Sequence, residues 1–136
     1  MKNPSVGIVI PIIQKKYVFK LLAHIKNIVN NNKYVICIVN DGNQKINEYL
    51  RQNLPPNIEL LNLDKNLCFA GANNSGWKYL INKYSSIMYL GTINDDTIPD
   101  SNWIQCMEDT LKQNSNVGAC SPSMITYTGI FKNQKK

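Results

Sequence analysis

The sequence predicts an α/β fold, a three-layer α/β/α arrangement around a mostly parallel sheet. Short, continuous apolar runs rich in β-branched residues recur along the chain, the pattern of strands covered on both faces. Between them lie segments whose apolar residues return at helical spacing. The 136 residues, 43% hydrophobic and 18% charged, suffice for one domain with a buried core.

Taken in order, Val6 to Ile10 forms the first strand, stopped by Pro11. From Tyr17 to Asn30, the residues Val18, Leu21, Leu22, Ile25, Ile28 and Val29 make one face of an amphipathic helix, ended by the asparagines Asn30 to Asn32. Tyr34 to Val39 is a second buried strand and runs into Asn40-Asp41-Gly42-Asn43, a turn sequence. A short helix over Gln44 to Gln52 is broken by Pro55-Pro56, and Ile58 to Leu63 is the third strand. A glycine-bearing loop from Asn66 to Gly76 follows, with helical spacing from Asn73 to Tyr84 through Trp77, Leu80, Ile81 and Tyr84. Ile87 to Ile93 makes a fourth strand ending on Asn94-Asp95-Asp96. Pro99-Asp100-Ser101 starts a fourth helix, capped by Asp100 or Ser101, with Trp103, Ile104, Met107 and Leu111 as its buried face. Val117 to Cys120 is the last strand, and periodicity ends after Tyr127. Residues 1–128 are thus one folded unit and residues 129–136 a polar tail. Strands alternating with helices imply right-handed crossovers with helices on both faces of the sheet.

Composition narrows the function. The net charge is +6, but the lysines are scattered, grouped only at Lys15-Lys16 and at Lys132, Lys135 and Lys136. Nucleic-acid binding, which concentrates charge on one face, is not expected. The same excess attracts a diphosphate or an anionic membrane surface, and solvation alone also accounts for the tail lysines. Cys37, Cys68, Cys106 and Cys120 are far apart and His24 is the sole histidine, so neither a zinc site nor a nucleophilic triad can be assembled. Free thiols in apolar surroundings fit a reduced, cytoplasmic compartment. Val6 to Ile13 is too short to cross a membrane and has no signal-peptide layout. Trp77 and Trp103 take core-facing helical positions and read as packing.

In parallel sheets ligands bind outside the carboxyl ends of the strands. Asp41, the Cys68 to Gly76 loop and Asn94 to Asp96 all follow strand ends, so three polar clusters from distant segments are expected on one rim. Paired carboxylates at the end of an apolar strand are costly unless solvated, hydrogen-bonded or neutralised. A divalent cation shared with a diphosphate would neutralise Asp95-Asp96, and hard oxygen ligands select magnesium or manganese. An aspartate that simply caps the turn into Thr97-Ile98-Pro99 is the plainer alternative. Asp41 is ordinary turn chemistry, or else its carboxylate accepts the imide N–H of uracil or thymine, a donor that cytosine lacks there. Gly71 and Gly76 serve backbone freedom, or the helix start beside them faces phosphate. The segment contains neither GxGxxG nor a P-loop.

These residues resemble a known family. The strand from Val6 to Pro11, the Asn40-Asp41-Gly42 turn, the stretch Asn66-x-x-Phe69-Ala70-Gly71-Ala72-Asn73-Asn74-x-Gly76, Asn94-x-Asp96 and Val117 to Pro122 are similar to family 2 glycosyltransferases of GT-A fold. The loop wording is closest to the rhamnosyltransferase-like branch. The resemblance implies a nucleotide-sugar-binding unit over residues 1–128. It places Asp41 on the pyrimidine base, Asn94-x-Asp96 at the DxD position and Asp96 on the metal. Asn73 and Asn74 would lie along the nucleotide-sugar, and Pro11, Gly42, Asn66, Gly71, Asn94 and Asp95 complete the implied donor site. The implied donor is a UDP- or dTDP-linked sugar and the metal Mg or Mn. The implied acceptor is a glycan or lipid-linked saccharide, attacked through its hydroxyl with inversion, with peripheral membrane or partner-chain association as a further possibility.

Two departures qualify the resemblance. The family carries a polar and aromatic segment such as Thr-Tyr-Asn after the first strand, where this chain has Ile12-Ile13-Gln14. The segment that supplies the family's general base is also expected to lack a counterpart here, since the sequence stops shortly after the acceptor half would begin, and the acids after Thr97, namely Asp100, Glu108 and Asp109, lie on or near the fourth helix. The alternative expectation is therefore a catalytically incomplete nucleotide-sugar-binding module or remnant.

Overall fold

The computed structural model describes residues 3–28 and 32–123. The chain folds as β1 (Val6–Ile12), α1 (Lys15–Ile28), β2 (Tyr34–Asn40), a 3-10 turn (Gln44–Ile46), α2 (Asn47–Asn53), β3 (Ile58–Asn62), α3 (Cys68–Lys83), β4 (Tyr89–Thr92) and α4 (Trp103–Gln113). One compact unit ends at Asn102 and a second begins at Trp103.

The first unit holds a four-stranded sheet in the order β3-β2-β1-β4. Every pairing is parallel, with Val6 opposite Tyr34 and Tyr89, and Ile36 opposite Ile58. The predicted α/β class with a parallel sheet is the observed one. Two steps in one direction, β1 to β2 to β3, followed by a return to β4 on the far side of β1, put α3 on the face opposite α1 and α2 when crossovers are right-handed.

The central strands carry the core. All seven residues of β2 are buried, from Tyr34 to Asn40. Val9, Val35, Cys37 and Val39 form one cluster with Ala72 and Leu80 of α3, flanked by Leu61, Leu63, Trp77, Tyr79, Tyr84 and Ile87. On α1, Val18, Leu21, Leu22 and Ile25 are buried, as their spacing predicts. The predicted end of that helix at Asn30 lies outside the described residues.

Among the differences from expectation, three have a direct physical reason. Pro11 continues β1 rather than ending it. Val9 O accepts from Ile93 N on the β4 side, and Ile12 O accepts from Asp41 N on the β2 side. Pro11, two residues beyond Val9, therefore turns its missing N–H toward β4, whose register stops at Val9–Thr92. The predicted helix over Gln44 to Gln52 is divided, because Asn43 caps a 3-10 turn before α2 begins at Asn47. The predicted last strand is not formed. Residues Val117 to Cys120 pair with no described strand, Val117 is 40% exposed and Gly118 has open space around it. A four-residue run containing Gly and Ala offers too little side chain to hold a ladder.

In the second unit, Ile104 and Glu108 of α4 are buried, and Lys112 Nζ pairs with Glu108 Oε1 at 2.6 Å. In the first unit, Asp100 Oδ1 accepts from Asn102 N at 3.2 Å, within the turn that precedes α4 in the chain.

A polar clamp fastens α3 to the edge strand β3. Glu59 accepts from Lys83 Nζ at 2.7 Å, Tyr79 Oη at 2.9 Å and Tyr84 Oη at 2.6 Å. Burial pushes the Glu59 carboxyl up, but the hydrogen bonds from Lys83, Tyr84 and Tyr79 outweigh it, so its pKa lies below the ordinary value. A lowered carboxylate pKa contributes stability that is fully present at neutral pH. That contribution fades as pH falls from the ordinary glutamate range through the lower folded value. Urea unfolding at pH 7 and pH 3 should show wild type losing about 1 kcal/mol more than Glu59→Gln, a small figure because Lys83 is half exposed. Equal losses would remove the clamp from the account.

Candidate functional site

The rim at the carboxyl ends of β1, β2 and β4 holds a cleft of about 400 Å³. Pro11, Asp41, Asn94, Asp95 and Asp96 line it, and so do Ile13, Gln14, Tyr17 and Phe69. Carboxylates from the β2 and β4 ends thus face one space, as the strand-end argument requires.

Local chemistry sets each lip. At the end of β2, Asp41 N donates to Ile12 O at 3.0 Å, and Asp41 Oδ1 accepts from Leu67 N at 2.7 Å. The carboxylate therefore satisfies a backbone N–H at the start of α3 while remaining part of the cleft wall. Gly42, at φ +80°, lets the turn pass against the chain before α3; a Cβ there would lie 2.4 Å from Asn66 N. Asn66 Oδ1 accepts from Cys68 N at 2.7 Å. With these partners in place the predicted glycine loop becomes helix, and α3 starts at Cys68 rather than Asn73.

The β4 lip follows from the same ladder. Ile93 N donates to Val9 O at 3.1 Å, and Thr97 N donates to Asn94 O at 3.2 Å, so residues 94–97 form a tight turn that presents Asp95 and Asp96. Burial, and next the Asp96 charge, push the Asp95 carboxyl above its ordinary range. A cation at this pair would relieve that repulsion, and two carboxylates plus ligand phosphates is a usual magnesium donor set. Among the described residues no group of three or more His, Cys, Asp or Glu could hold a metal. An ion at this pair would have to take its remaining ligands from a bound ligand and water.

The other candidate residues lie apart from the cleft lining. Asn73 is buried, donates to Phe69 O at 2.9 Å and accepts from Thr92 Oγ1, which ties α3 to β4. Asn74 is exposed on α3, and Gly71 stands over Leu67, whose Cβ would be 2.6 Å from an added methyl. Gly42 and Asn66 shape the turn behind Asp41. Ile13, Gln14, Tyr17 and Phe69 were outside the predicted set. For the first three the available signal was position, directly after the carboxyl end of β1.

Comparison with known proteins bears on this geometry. The family model described as glycosyl transferase family 2 matches residues 7–136. The chain belongs to glycosyl transferase family 2. A search of curated proteins returned no match. Among solved structures, this family 2 chain is similar to the crystal structure of S. aureus TarS 1–349, with a TM-score of 0.57 and 15% identity. The likeness covers 87% of this chain and 38% of that one, and at this identity it speaks for the fold. The family 2 chain therefore spans well under half the length of that structure.

Proposed function

We propose that the cleft binds a pyrimidine nucleoside-diphosphate sugar, UDP- or dTDP-linked, and that the chain serves transfer of that sugar to an acceptor hydroxyl with inversion. The observation that carries this is the meeting of Asp41 with Asn94, Asp95 and Asp96 in one cleft of nucleotide-compatible size. Asp41 would accept the imide N–H of the base. Asp96, with Asp95 beside it, would hold Mg2+ or Mn2+, whose charge supplies neutralisation of the diphosphate as it departs. The acceptor in this reading is a glycan or lipid-linked saccharide. A cytoplasmic setting suits four free cysteines, with the buried Cys37 thiol pushed up to about 12, chiefly by burial, and so unreactive. Among the described residues no helix is long and apolar enough to cross a membrane. Peripheral membrane or partner-chain association belongs to the same proposal.

Calorimetry with UDP and dTDP tests the reading. Binding is expected with Mn2+ present, and Asp96→Ala should weaken it by about 1–3 kcal/mol, as for loss of a charged contact. Equal affinity with and without Mn2+ would count against a metal at Asp96.

A second reading, in which the residues of this sequence bind the nucleotide-sugar without themselves supplying the general base, is favoured by the acids that follow the cleft. Asp100 caps the turn before α4, Asp109 Oδ1 accepts from Gln105 at 2.8 Å, and Glu108 is buried in its pair with Lys112. Each is already engaged locally. Donor turnover measured on this chain separates the readings: nucleotide binding without hydrolysis or transfer favours the second, and robust transfer rules it out.

A further inference from the structure

The turn Asn40-Asp41-Gly42-Asn43 does more than carry Asp41. Asn43 Nδ2 donates to Ile13 O at 2.7 Å. This bond lies one residue beyond the end of β1 at Ile12, so a side-chain amide extends the β1–β2 pairing where the backbone ladder stops. Ile13 and Gln14 line one wall of the cleft and Asp41 another. The Asn43 amide thus joins two walls contributed by different strand ends.

The Asn43 backbone is in turn anchored by the Asn40 side chain. Asn43 N donates to Asn40 Oδ1 at 3.3 Å, and Asn43 O accepts from Asn40 Nδ2 at 2.9 Å. Asn40 is 1% exposed, and its Nδ2 also faces Asn62 Oδ1 and Asn47 Oδ1, both at 3.1 Å. This part-buried network, centred on the buried Asn40 side chain, fixes the turn's orientation. Asn43 Oδ1 accepts from Lys45 N at 3.1 Å, which caps the 3-10 turn. Each end of the Asn43 amide therefore has a separate task, the oxygen capping and the nitrogen strapping.

We infer that Asn43 is a positioning residue for nucleotide binding, its Nδ2–H holding the β1–α1 segment against the Asp41 turn so that the cleft keeps its width. The inference rests on the reading of the cleft as a nucleotide site. It predicts a separation that a merely structural cap would not produce. Serine at this position keeps a side-chain oxygen for the cap, since it is a favoured cap residue, but is too short to reach Ile13 O.

The test compares wild type with Asn43→Ser and Asn43→Asp by calorimetry against UDP with Mn2+, by thermal unfolding, and by amide hydrogen exchange without ligand. Asn43→Ser should bind UDP about threefold to tenfold more weakly, as the loosened segment leaves fewer molecules with the cleft in its binding form, and should lower Tm only by the value of one exposed hydrogen bond. Residues 13–17 should exchange faster while α3 does not. Asn43→Asp keeps the cap acceptor but sets a carboxylate against the Ile13 carbonyl, so its affinity should fall further at pH 7. Wild-type affinity in Asn43→Ser, or a lowered Tm with unchanged affinity, overturns the inference. If wild type binds no nucleotide, the reading of the cleft has failed, and the strap is then decided by exchange alone: unchanged exchange over residues 13–17 sinks it too.

Discussion

Gly76→Val is expected to destabilise the chain by about 3 kcal/mol, because a side chain there has nowhere to go. Gly76 is buried on the face of α3 that meets the sheet. An added Cβ would lie 2.7 Å from Val9 Cγ1 and 2.8 Å from Val39 Cγ2. Both valines are fully buried on the central strands β1 and β2, and a β-branched side chain has little rotamer freedom to give way. Glycine within a helix costs about 1 kcal/mol relative to alanine, so some of the strain is offset. Gly76→Ala should therefore lose less, about 1 kcal/mol, and the order of the two variants matters as much as either value. Urea titration with an unchanged m-value gives both numbers. Wild-type stability in Gly76→Val would mean that α3 does not approach the sheet here as described.

Gly42→Ala is expected to cost about 3 kcal/mol and, unlike Gly76→Val, to act directly on the cleft. Two penalties combine. The left-handed backbone at φ +80° disfavours any residue with a Cβ, by about 1–2 kcal/mol. The new methyl would also meet backbone, 2.4 Å from Asn66 N and 2.6 Å from Lys65 C, which cannot swing aside as a flexible side chain can. Relief requires residues 65–67 to move, and Leu67 N is the donor to Asp41 Oδ1. UDP affinity should therefore fall together with stability. Gly42→Asn separates the causes, since asparagine tolerates the left-handed region but carries the same Cβ. It should recover part of the stability and little of the affinity. Full recovery of both would show that backbone strain alone, and not the approach to Asn66, makes glycine necessary.

How far the site could be read in advance differs residue by residue. Asp41 and Asp96 were readable because each ends an apolar β-branched run, and parallel topology sends all strand ends to one rim. Asn73 looked like a loop residue beside two glycines. The structure instead buries it in α3, because Asp41 and Asn66 supply acceptors for the first N–H groups of the helix and let it begin early. No pattern within Asn66 to Gly76 announces that, since the Asp41 acceptor lies in a distant segment. By sequence Tyr17 reads only as the start of the first helix and Phe69 as part of the glycine-bearing loop, yet they are 37% and 55% exposed and line the cleft. Periodicity tells which face of a helix is apolar, but not whether a neighbour covers its first turn.

From its sequence alone this protein's class, its central parallel strands and the rim that bears its acids were determined, because buried strands and amphipathic helices impose periodicities that survive without knowledge of the partner. Tertiary structure alone decided which polar groups share the cleft, where α3 starts and that Val117 to Cys120 pairs with no described strand. Those outcomes depend on hydrogen bonds and close approaches between segments far apart in the chain, such as Asp41 with Leu67 and Asn43 with Ile13. Local patterning carries no record of them.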